Sequence, residues 1–393
     1  MSSKNIDKMN ISVLLFGSGG RQALPLSKGF YELGCTVTAY CESKYDTGYL
    51  TRYKHKRVLY NTNNIDGLDF YEYGKQLIES GEFELVVPLS DAGAIFLSKN
   101  KKQLGKYARI AVNDWDILCK VVDKKKTMDE CQRKNINVPR TIISDNPVEA
   151  LKNGDLRFPV VIKPRTACGS IGFNIANNIH QVEKVFLDLS NGPLLIQEYI
   201  PNEGNQYECE VFRTKNGNIK SCFVSKAPRI YPLDGGSPIL SIPIKNDDIC
   251  ELGKKLADAL NWVGYLDIDL LYDKYEGVFK IIEANPRVGA DIKLDFVNGV
   301  NIAKMIIENE FFDHVTDMNN YSCSYEVSCG VTDVLWFLKS KNRFSAEPSW
   351  FDRGKIKDAI FDLFDIKPFL GFCFFHLLHF RENMKKRKRI NNE

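Results

Sequence analysis

The sequence of 393 residues predicts two structural classes in succession, an α/β domain followed by an α+β region. Over about the first 115 residues, strand patterns alternate with helical patterns, which is typical of a parallel, doubly wound sheet. Beyond that point most strand patterns follow one another directly, which favours antiparallel pairing. Aromatic residues crowd the stretch from Trp336 to Phe380. We therefore predict three parts, 1–115, 116–315 and 316–393.

Individual elements follow from hydrophobic periodicity and breaker residues. In the first part we predict a helix over Leu24–Leu33 and strands over Ile11–Phe16, Thr36–Cys41, Leu85–Leu89 and Arg109–Val112. In the second part the predicted helices are Leu118–Lys134, Ile249–Leu260 and Val300–Asn309. The predicted strands there are Phe158–Pro164, Asn174–Ala176, Leu194–Tyr199, Tyr207–Arg213, Ser221–Val224, Gly264–Tyr272 and Val278–Glu283. The third part is expected to be mainly helical, with a helix over Phe369–Phe380 and a basic tail.

Composition excludes several classes of protein. The net charge of +3 gives no global attraction to nucleic acid, although the C-terminal run 385–389 is basic. The polar N-terminus lacks the apolar core of a signal peptide, and no stretch approaches the roughly 20 apolar residues of a membrane span. Cys35, Cys131, Cys209 and Cys222 lie in apolar or alternating runs, as reduced buried thiols do. We expect a cytoplasmic protein.

The most informative motif is Glu283-x-Asn285-x-Arg287, which closes a predicted strand. Alternate residues of a strand leave the same face, so these three side chains converge. Asp269 lies in the strand just upstream. Oxygen ligands beside a guanidinium suit Mg²⁺ and a polyphosphate. The alternative is a strand end with incidental polar residues.

A glycine-rich segment, Thr166–Gly172, directly follows the strand that carries Lys163. Its glycines allow backbone N–H groups to close over phosphate oxygens, and Lys163 at the strand end suits the α- and β-phosphates. It is not a P-loop, because no Gly-Lys-Ser/Thr follows. A surface turn with a solvated lysine is the alternative. Leu194–Ile200 has the pattern of a strand between two lobes.

In this order, the motifs resemble those of the ATP-grasp superfamily, in particular its carboxylate–amine ligases and carbamoyl-phosphate-synthetase-like branch. The likeness covers residues 11 to 310. It implies a Rossmann-like pre-ATP-grasp domain over 1–115 and a two-lobed ATP-grasp domain over 116–315, with lobes at 116–195 and 196–315. A small C-terminal extension follows. The cofactors implied are ATP and Mg²⁺ or Mn²⁺.

The resemblance also implies residue roles. ATP contacts fall to Lys124, Lys163, the phosphate-covering Gly169, Ser170 and Gly172, and the adenine-facing backbone of Glu198 and Ile200. Metal ligands are Asp269, Glu283 and Asn285. Arg287, with Lys163, would stabilise the transferring phosphate. The family's ribose-binding glutamate is replaced by Gln206, unless the alignment shifts by two to Glu208; Glu210 is the next inward residue of that strand.

Substrate residues are expected elsewhere around the cleft: Arg21, Lys226, Arg229, Gly236 and Ser237. Two cations near a glycine turn suit a carboxylate, and a basic surface hairpin is the alternative. Gln22 occupies the third-glycine position of a dinucleotide fingerprint, which disfavours an NAD-linked oxidoreductase.

The function predicted from these patterns is an ATP- and Mg²⁺-dependent ligase that joins a small carboxylate to an amine through an acyl phosphate. A carboxylase or carbamoyl-transfer enzyme and a nucleotide-binding scaffold without catalysis are the alternatives. The C-terminal part is similar to ATP-grasp proteins of bacterial polysaccharide-biosynthesis loci, which implies a surface-glycan precursor as acceptor. We further expect a homodimer, and either peripheral membrane contact through the basic tail or a solvated tail.

Overall fold

The computed structural model describes residues 9–60, 69–143, 149–151, 156–166, 172–188, 194–202, 204, 206–233 and 236–375. Within these ranges the chain forms three β-sheets with helices packed against them. Among the described residues, no helix combines the length and the apolar character needed to cross a membrane.

The first sheet is parallel and five-stranded, with the order β3-β2-β1-β4-β5. Its strands are β1 (Ser12–Phe16), β2 (Thr36–Cys41), β3 (Lys56–Leu59), β4 (Leu85–Pro88) and β5 (Arg109–Ile110), and its helices are α1 (Ala23–Glu32), α2 (Thr47–Leu50), α3 (Phe70–Glu79) and α4 (Asp91–Leu104). This confirms the predicted α/β class. Strand β3 was not predicted, because it is an edge strand whose first two residues are exposed cations.

Two helices follow, α5 (Trp115–Val122) and α6 (Lys124–Arg133). The prediction of a single helix over Leu118–Lys134 was wrong at Asp123. This residue is extended, at φ −92° and ψ 102°, and its side chain accepts a hydrogen bond from the Lys125 N–H. An aspartate that caps a new helix in this way ends the preceding one. The break places Lys124 at the start of α6.

A small antiparallel sheet comes next, with the order β6-β9-β7-β8. Its strands are β6 (Thr141–Ile142), β7 (Val160–Pro164), β8 (Asn174–Ala176) and β9 (Leu194–Glu198), and helix α7 (Ile179–Asp188) covers it. The sheet has a core of its own, built from residues such as Val160, Ile162 and Val182.

The third sheet has seven strands, in the order β14-β13-β10-β11-β12-β15-β16. They are β10 (Gln206–Arg213), β11 (Ile219–Tyr231), β12 (Ser237–Ile244), β13 (Gly264–Asp273), β14 (Val278–Asn285), β15 (Glu326–Ser328) and β16 (Ile356–Asp358). The helices of this part are α8 (Asp247–Ala259), α9 (Lys293–Val297), α10 (Ile302–Phe311) and α11 (Gly330–Lys339). Strand β12 was not predicted, because Pro238 and Pro243 argue against an interior strand.

The C-terminal extension is less helical than its sequence indicates. Besides α11 and a helix at 367–375, it contributes β15 and β16 to the seven-stranded sheet. These strands have three residues each, too few for a period-two pattern to register. The remainder of the predicted helix Phe369–Phe380 and the basic tail lie outside the described residues.

The hydrophobic cores show which elements pack against one another. Phe30 of α1 and Ala303 of α10 belong to one cluster, so the first sheet packs directly on the seven-stranded part. Leu118 of α5 and Cys131 of α6 share a second cluster with strands β10 and β13. We therefore propose that α5 and α6 belong structurally to the second lobe. The small sheet stands apart and forms one wall of a cleft.

Candidate active site in the inter-lobe cleft

A cavity of about 520 Å³ lies in the cleft between the small sheet and the seven-stranded sheet. It collects most of the residues that the sequence singled out. The predicted residues that line it are Arg21, Lys124, Lys163, Glu198, Ile200, Gln206, Gly236, Ser237, Asp269, Glu283, Asn285 and Arg287, together with Glu208. Residues far apart in the sequence thus share one cavity.

The floor of the cavity is formed by paired strands. Asp269 on β13 lies directly opposite Glu283 on β14, and Asp267 lies opposite Asn285. The Asn285 Nδ2 donates hydrogen bonds to Asp267 (3.2 Å) and to Asp269 (3.1 Å). Because the amide nitrogen faces these carboxylates, its carbonyl oxygen is left to serve as a ligand. Burial raises the pKa of Asp269 to about 6, and Glu283 adds to the shift.

Two lysines reach the same floor from different elements. Lys124, at the start of α6, places its Nζ 3.1 Å from Glu283 Oε1. Lys163, on β7 of the opposite wall, donates from Nζ to the Ile282 carbonyl at 3.2 Å. Both side chains are buried. Burial lowers the pKa of Lys163 to about 8 against the opposing effect of Glu283. Two buried ammonium groups at the same cavity floor are suited to a polyanionic ligand.

Arg287 follows β14 and is held by two carboxylates. Its Nε lies 3.3 Å from Asp91 Oδ2, and its Nη1 lies 3.2 Å from Asp267 Oδ2. Asp91 begins helix α4 of the first domain, so this ion pair joins that domain to the cleft. Burial opposes the charged form, but Asp91 and Asp267 raise the pKa of Arg287 overall, which keeps the guanidinium charged.

The outer end of the cavity is apolar on both walls. Val161 and Ile175 line it from the small sheet, and Leu271 and Ile282 from the large one. The Glu198 N–H is donated to the Arg140 carbonyl at 3.0 Å, and the Glu198 side chain pairs with Lys280 at 2.6 Å. The predicted contact through Glu198 would therefore use its backbone carbonyl. This end suits a flat aromatic base.

Gln206 and Glu208 both line the cavity, as alternate residues of β10. Gln206 accepts from Asn202 Nδ2 at 2.9 Å and lies 3.5 Å from Asp269 Oδ1. Glu208 lies deeper, and burial together with Asp291 raises its pKa well above the usual range. The position of Gln206 beside the loop that joins the two walls favours it over Glu208 for a ribose contact.

The predicted substrate residues divide into two groups. Arg21, Gly236 and Ser237 line the cavity, and a Cβ at Gly236 would lie 1.9 Å from the Tyr231 carbonyl carbon, so glycine is required there. Lys226 is not among the lining residues; its Nζ sits 5.8 Å from the centroid of the Tyr207 ring.

The assignment of Arg229 to the substrate site was wrong. Its side chain is 1% exposed and pairs with Asp333 of α11 at 3.0 Å, and its guanidinium lies 5.3 Å from the centre of Trp336. A guanidinium closed off in this way cannot reach a ligand in the cleft. Arg229 instead fastens the C-terminal extension to the sheet.

Of the three residues predicted to cover the phosphates, Gly172 is the one within the described part of the chain. Gly172 has a φ of +72°, a conformation that favours glycine, and its carbonyl accepts a hydrogen bond from Asn174 Nδ2 at 3.1 Å. Gly169 and Ser170 lie outside the described residues. Their role stays a prediction.

Three carboxylates of the site were missed by sequence reasoning: Asp91, Asp267 and Asp291. Asp267 carried a signal, because it precedes Asp269 by two residues and must share its face. Asp91 also had one, since it follows a parallel strand at the carboxyl edge, where α/β sheets bind ligands. Asp291 lies in a loop after the motif, and no periodic pattern indicates its position.

A larger cavity, of about 1260 Å³, lies between the first domain and the seven-stranded sheet. Several lysines line it, but Lys101 is paired with Asp114 at 2.7 Å and Lys215 with Glu310 at 2.7 Å. We regard the inter-lobe cavity as the candidate site, because its cations and carboxylates point at a common space.

Comparison with known families supports this choice. Residues 121–291 match the family model of the ATP-grasp domain. The chain is 22% identical over 261 residues to a D-aspartate ligase of Enterococcus faecium, covering 58% of this chain and 59% of that protein. It is 26% identical over 196 residues to the carbamoyl phosphate synthase large chain of Clostridium beijerinckii, covering 47% of this chain and 18% of that protein. The chain thus spans only part of the curated relatives that it matches.

Solved structures of low identity share the fold. N5-carboxyaminoimidazole synthetase from Staphylococcus aureus, solved in complex with ADP, aligns with a TM-score of 0.65 at 14% identity, covering 81% of this chain and 82% of that one. An L-amino acid ligase from Bacillus licheniformis aligns with a TM-score of 0.59 at 16% identity, covering 77% and 74%. These findings confirm the resemblance seen in the sequence: the chain carries an ATP-grasp domain over residues 121–291.

Proposed function

We propose that this chain is an ATP- and Mg²⁺-dependent ligase that joins a carboxylate to an amine. The observation that carries the proposal is the convergence of Lys124, Lys163 and Arg287 on the carboxylates of β13 and β14 in one cleft. Cations and metal-type ligands held together in a cavity favour phosphoryl transfer. The names of the curated relatives, a D-aspartate ligase and carbamoyl phosphate synthases, support this class of reaction.

ATP would lie along the cavity with its base at the apolar end. The Glu198 carbonyl would accept from the base and the Ile200 N–H would donate to it, while Gln206 would meet a ribose hydroxyl. Lys124 and Lys163 would pair with the phosphates. The lowered pKa of Lys163 fits this role, because a buried ammonium without a bound anion is poorly stabilised.

Asp269, Glu283 and the carbonyl oxygen of Asn285 form a donor set of hard oxygens, which fits Mg²⁺ or Mn²⁺. When bound, such an ion neutralises phosphate charge and aligns the phosphoryl group for transfer. The Lys124–Glu283 ion pair at 3.1 Å would rearrange as the phosphates and the ion arrive.

The reaction would proceed in two steps. A carboxylate oxygen of the substrate attacks the γ-phosphorus of ATP, the bond to ADP breaks, and an acyl phosphate forms. An amine nitrogen then attacks the acyl carbon, the carbon–oxygen bond to phosphate breaks, and an amide and inorganic phosphate result, with one amine proton released. Arg287 would stabilise the transferring group through the N–H donors that face the cavity. Arg21, Gly236 and Ser237 would contact the carboxylate substrate.

From the sequence we further propose that the substrate is an amino acid or sugar acid of a surface polysaccharide precursor. We also propose that the chain forms a homodimer and that its basic tail contacts a membrane surface. Of these three features, the identity of the substrate can be assayed directly.

The test is release of phosphate from ATP with pooled amino acids, sugar acids and amines. We expect release that needs both a carboxylate and an amine, with ¹⁸O from the labelled carboxylate appearing in the phosphate. Glu283→Ala should abolish turnover, whereas Glu251→Ala, on the exposed face of α8, should not. Nucleotide binding without turnover on any pool would instead support a scaffold, and turnover with bicarbonate alone a carboxylase.

A further inference from the structure

A group of buried carboxylates lies beneath the cleft floor and is not used by the proposed chemistry. On strand β10, Glu208 lies directly opposite Asp269 and Glu210 lies directly opposite Asp267. Since like charges opposite each other on antiparallel strands destabilise a sheet, this arrangement requires compensation. Neither β10 glutamate is needed for the ribose, phosphate or metal contacts assigned to Gln206, Asp269 and Glu283.

Within the part of the chain that the structure describes, nearby cations do not supply this compensation. Glu208, Glu210, Asp267, Asp291 and Asp295 are all at most 7% exposed. Within the described ranges, the ion pairs of this group are confined to Arg287, which binds Asp267 and also Asp91. Of these five buried carboxylates, Asp267 is the one that an ion pair within the described ranges compensates. Buried charge on this scale is stable only with a bound cation or with protons.

Several buried polar atoms in this region have no hydrogen-bond partner among the described residues. Among the described residues, no hydrogen-bond partner is found for both oxygens of Glu210, both oxygens of Asp295, the Asp291 Oδ2 or the Tyr265 hydroxyl. Asp295 is fully buried, and Tyr265 is 8% exposed. Each buried polar group left unpaired costs about 1–3 kcal/mol. Glu210 and Asp291 thus each carry a buried oxygen that lacks a partner within the described part of the chain.

The spacing of the oxygens indicates the ligand. One carboxylate oxygen each from Glu208, Glu210 and Asp291 lies within 4.8 Å of the other two. An ion with metal–oxygen bonds of roughly 2.1–2.5 Å separates its ligands by up to about 4–5 Å. The backbone at Gly289 also approaches closely, because a Cβ there would lie 3.1 Å from Asp291 Oδ1.

We propose that Glu208, Glu210 and Asp291 bind a hard divalent cation, Mg²⁺ or Mn²⁺, at a site separate from the one assigned to Asp269, Glu283 and Asn285. The all-carboxylate donor set favours these ions over softer metals. The ion offsets the repulsion across β10 and β13 and fixes the loop between Arg287 and Asp291. It thereby positions Arg287 at the cavity. The site needs no nucleotide and stands independently of the ligase proposal.

The test counts Mn²⁺ ions bound to the full chain in the absence of nucleotide, from the loss of the free Mn²⁺ signal in electron paramagnetic resonance. The wild-type chain is expected to bind Mn²⁺ at this site. Glu210→Gln and Asp291→Asn should each weaken that ion's Kd at least tenfold. Glu283→Gln is the matched control, because it changes an acid of the neighbouring site, and it should leave this ion bound.

The proposal would be overturned by a wild-type chain that binds no Mn²⁺ up to about 1 mM, the weak end of protein sites for such ions. Folded Glu210→Gln and Asp291→Asn chains that both bind Mn²⁺ as the wild type does would also overturn it. Thermal stabilisation by methylammonium but not by Mn²⁺ would likewise overturn it and point to an amine in this pocket. If Glu210→Gln does not fold, Asp291→Asn decides, since Asp291 borders the cavity. ATP turnover is measured separately, so either proposal can fail alone.

Discussion

Arg229 on β11 and Arg287 just after β14 are two arginines that each pair with aspartate, yet they occupy different environments. Arg287 keeps 20% of its side chain exposed and borders the inter-lobe cavity, where Asp91 and Asp267 orient it. Arg229 is 1% exposed and closed in by Asp333 and Trp336. Its Nε and Nη2 have no hydrogen-bond partner among the described residues.

The difference lies in where the remaining N–H donors point. A guanidinium that retains donors toward a cavity can bind an anion, whereas one enclosed by protein holds two segments together. Burial lowers the pKa of Arg229, while the two aspartates raise that of Arg287 despite burial. We therefore expect substitutions of Arg229 to change folding and substitutions of Arg287 to change turnover.

The largest effect on stability is expected for Arg229→Met. Removing one partner of a buried pair costs about 3–5 kcal/mol, and we expect the lower end because Arg353 still pairs with Asp333 at 2.8 Å. Chemical denaturation measures the loss of unfolding free energy. Arg353→Met is the matched control: it removes an exposed partner of the same carboxylate and should cost less than about 1 kcal/mol. A folded Arg229→Met chain with a tenfold lower kcat/KM would return this arginine to the substrate site.

Arg287→Lys is expected to lower turnover and to leave stability almost unchanged. The lysine keeps the charge but lacks the planar fork that bridges Asp91 and Asp267, so transition-state contacts are lost. We expect kcat to fall on the order of 10²–10³-fold, about 3–4 kcal/mol, as for loss of one oriented charged donor. Unfolding free energy should change little. Unaltered kcat in the phosphate-release assay would remove Arg287 from the chemistry.

The same two residues show what the sequence can predict. Arg287 lies at the cleft, where period-two spacing from Glu283 and Asn285 places its side chain. Arg229 was predicted to bind substrate because it is a cation near a glycine turn. That pattern does not show whether the side chain is buried or borders the cavity. Its environment is set by Asp333 and Trp336, more than a hundred residues away, in an extension whose short strands gave no pattern. Asp91 likewise reaches the site only through the packing of two domains.

The secondary structure elements likewise divide into those that local patterns predict and those that they do not. Strands with buried, regular patterns, such as β2 and β8, were predicted to the residue, while edge strand β3 and proline-bearing β12 were not. The break at Asp123 depends on a cap that single-residue propensities do not separate from an exposed helical position. Local patterns therefore predict elements, and long-range packing decides which polar side chains meet.

Lys163 offers a third test, in which a buried cation bordering the cavity is titrated. Its folded pKa of about 8 lies below the unfolded value of 10.5. Burial of the charged amine therefore lowers the free energy of unfolding below pH 8, and this loss of stability disappears as the pH rises toward 10.5. ATP affinity should change the other way, because the neutral amine binds phosphate poorly. In metal-free buffer, the Kd for ATP should rise up to about tenfold per pH unit above pH 8. Lys163→Arg should flatten the profile, since arginine stays charged. A wild-type profile as flat as the variant's would contradict the phosphate role.

The smallest effect, a change in ATP affinity, is expected for substitution of Gln206. Its amide and the more deeply buried carboxylate of Glu208 both line the cavity. If Gln206 meets the ribose, Gln206→Glu should tighten ATP binding a few-fold, about 1 kcal/mol, because a carboxylate accepts from both hydroxyls. The measurement belongs at saturating Mg²⁺, since Asp269 Oδ1 lies 3.5 Å from the Gln206 amide and would repel the new charge. Glu208→Gln is the matched change in the same strand and should leave the Kd for ATP unaltered. The reverse outcome, with ATP binding weakened only by Glu208→Gln, would move the ribose to Glu208. It would also take that carboxylate away from the buried cation, so one pair of titrations tests both assignments.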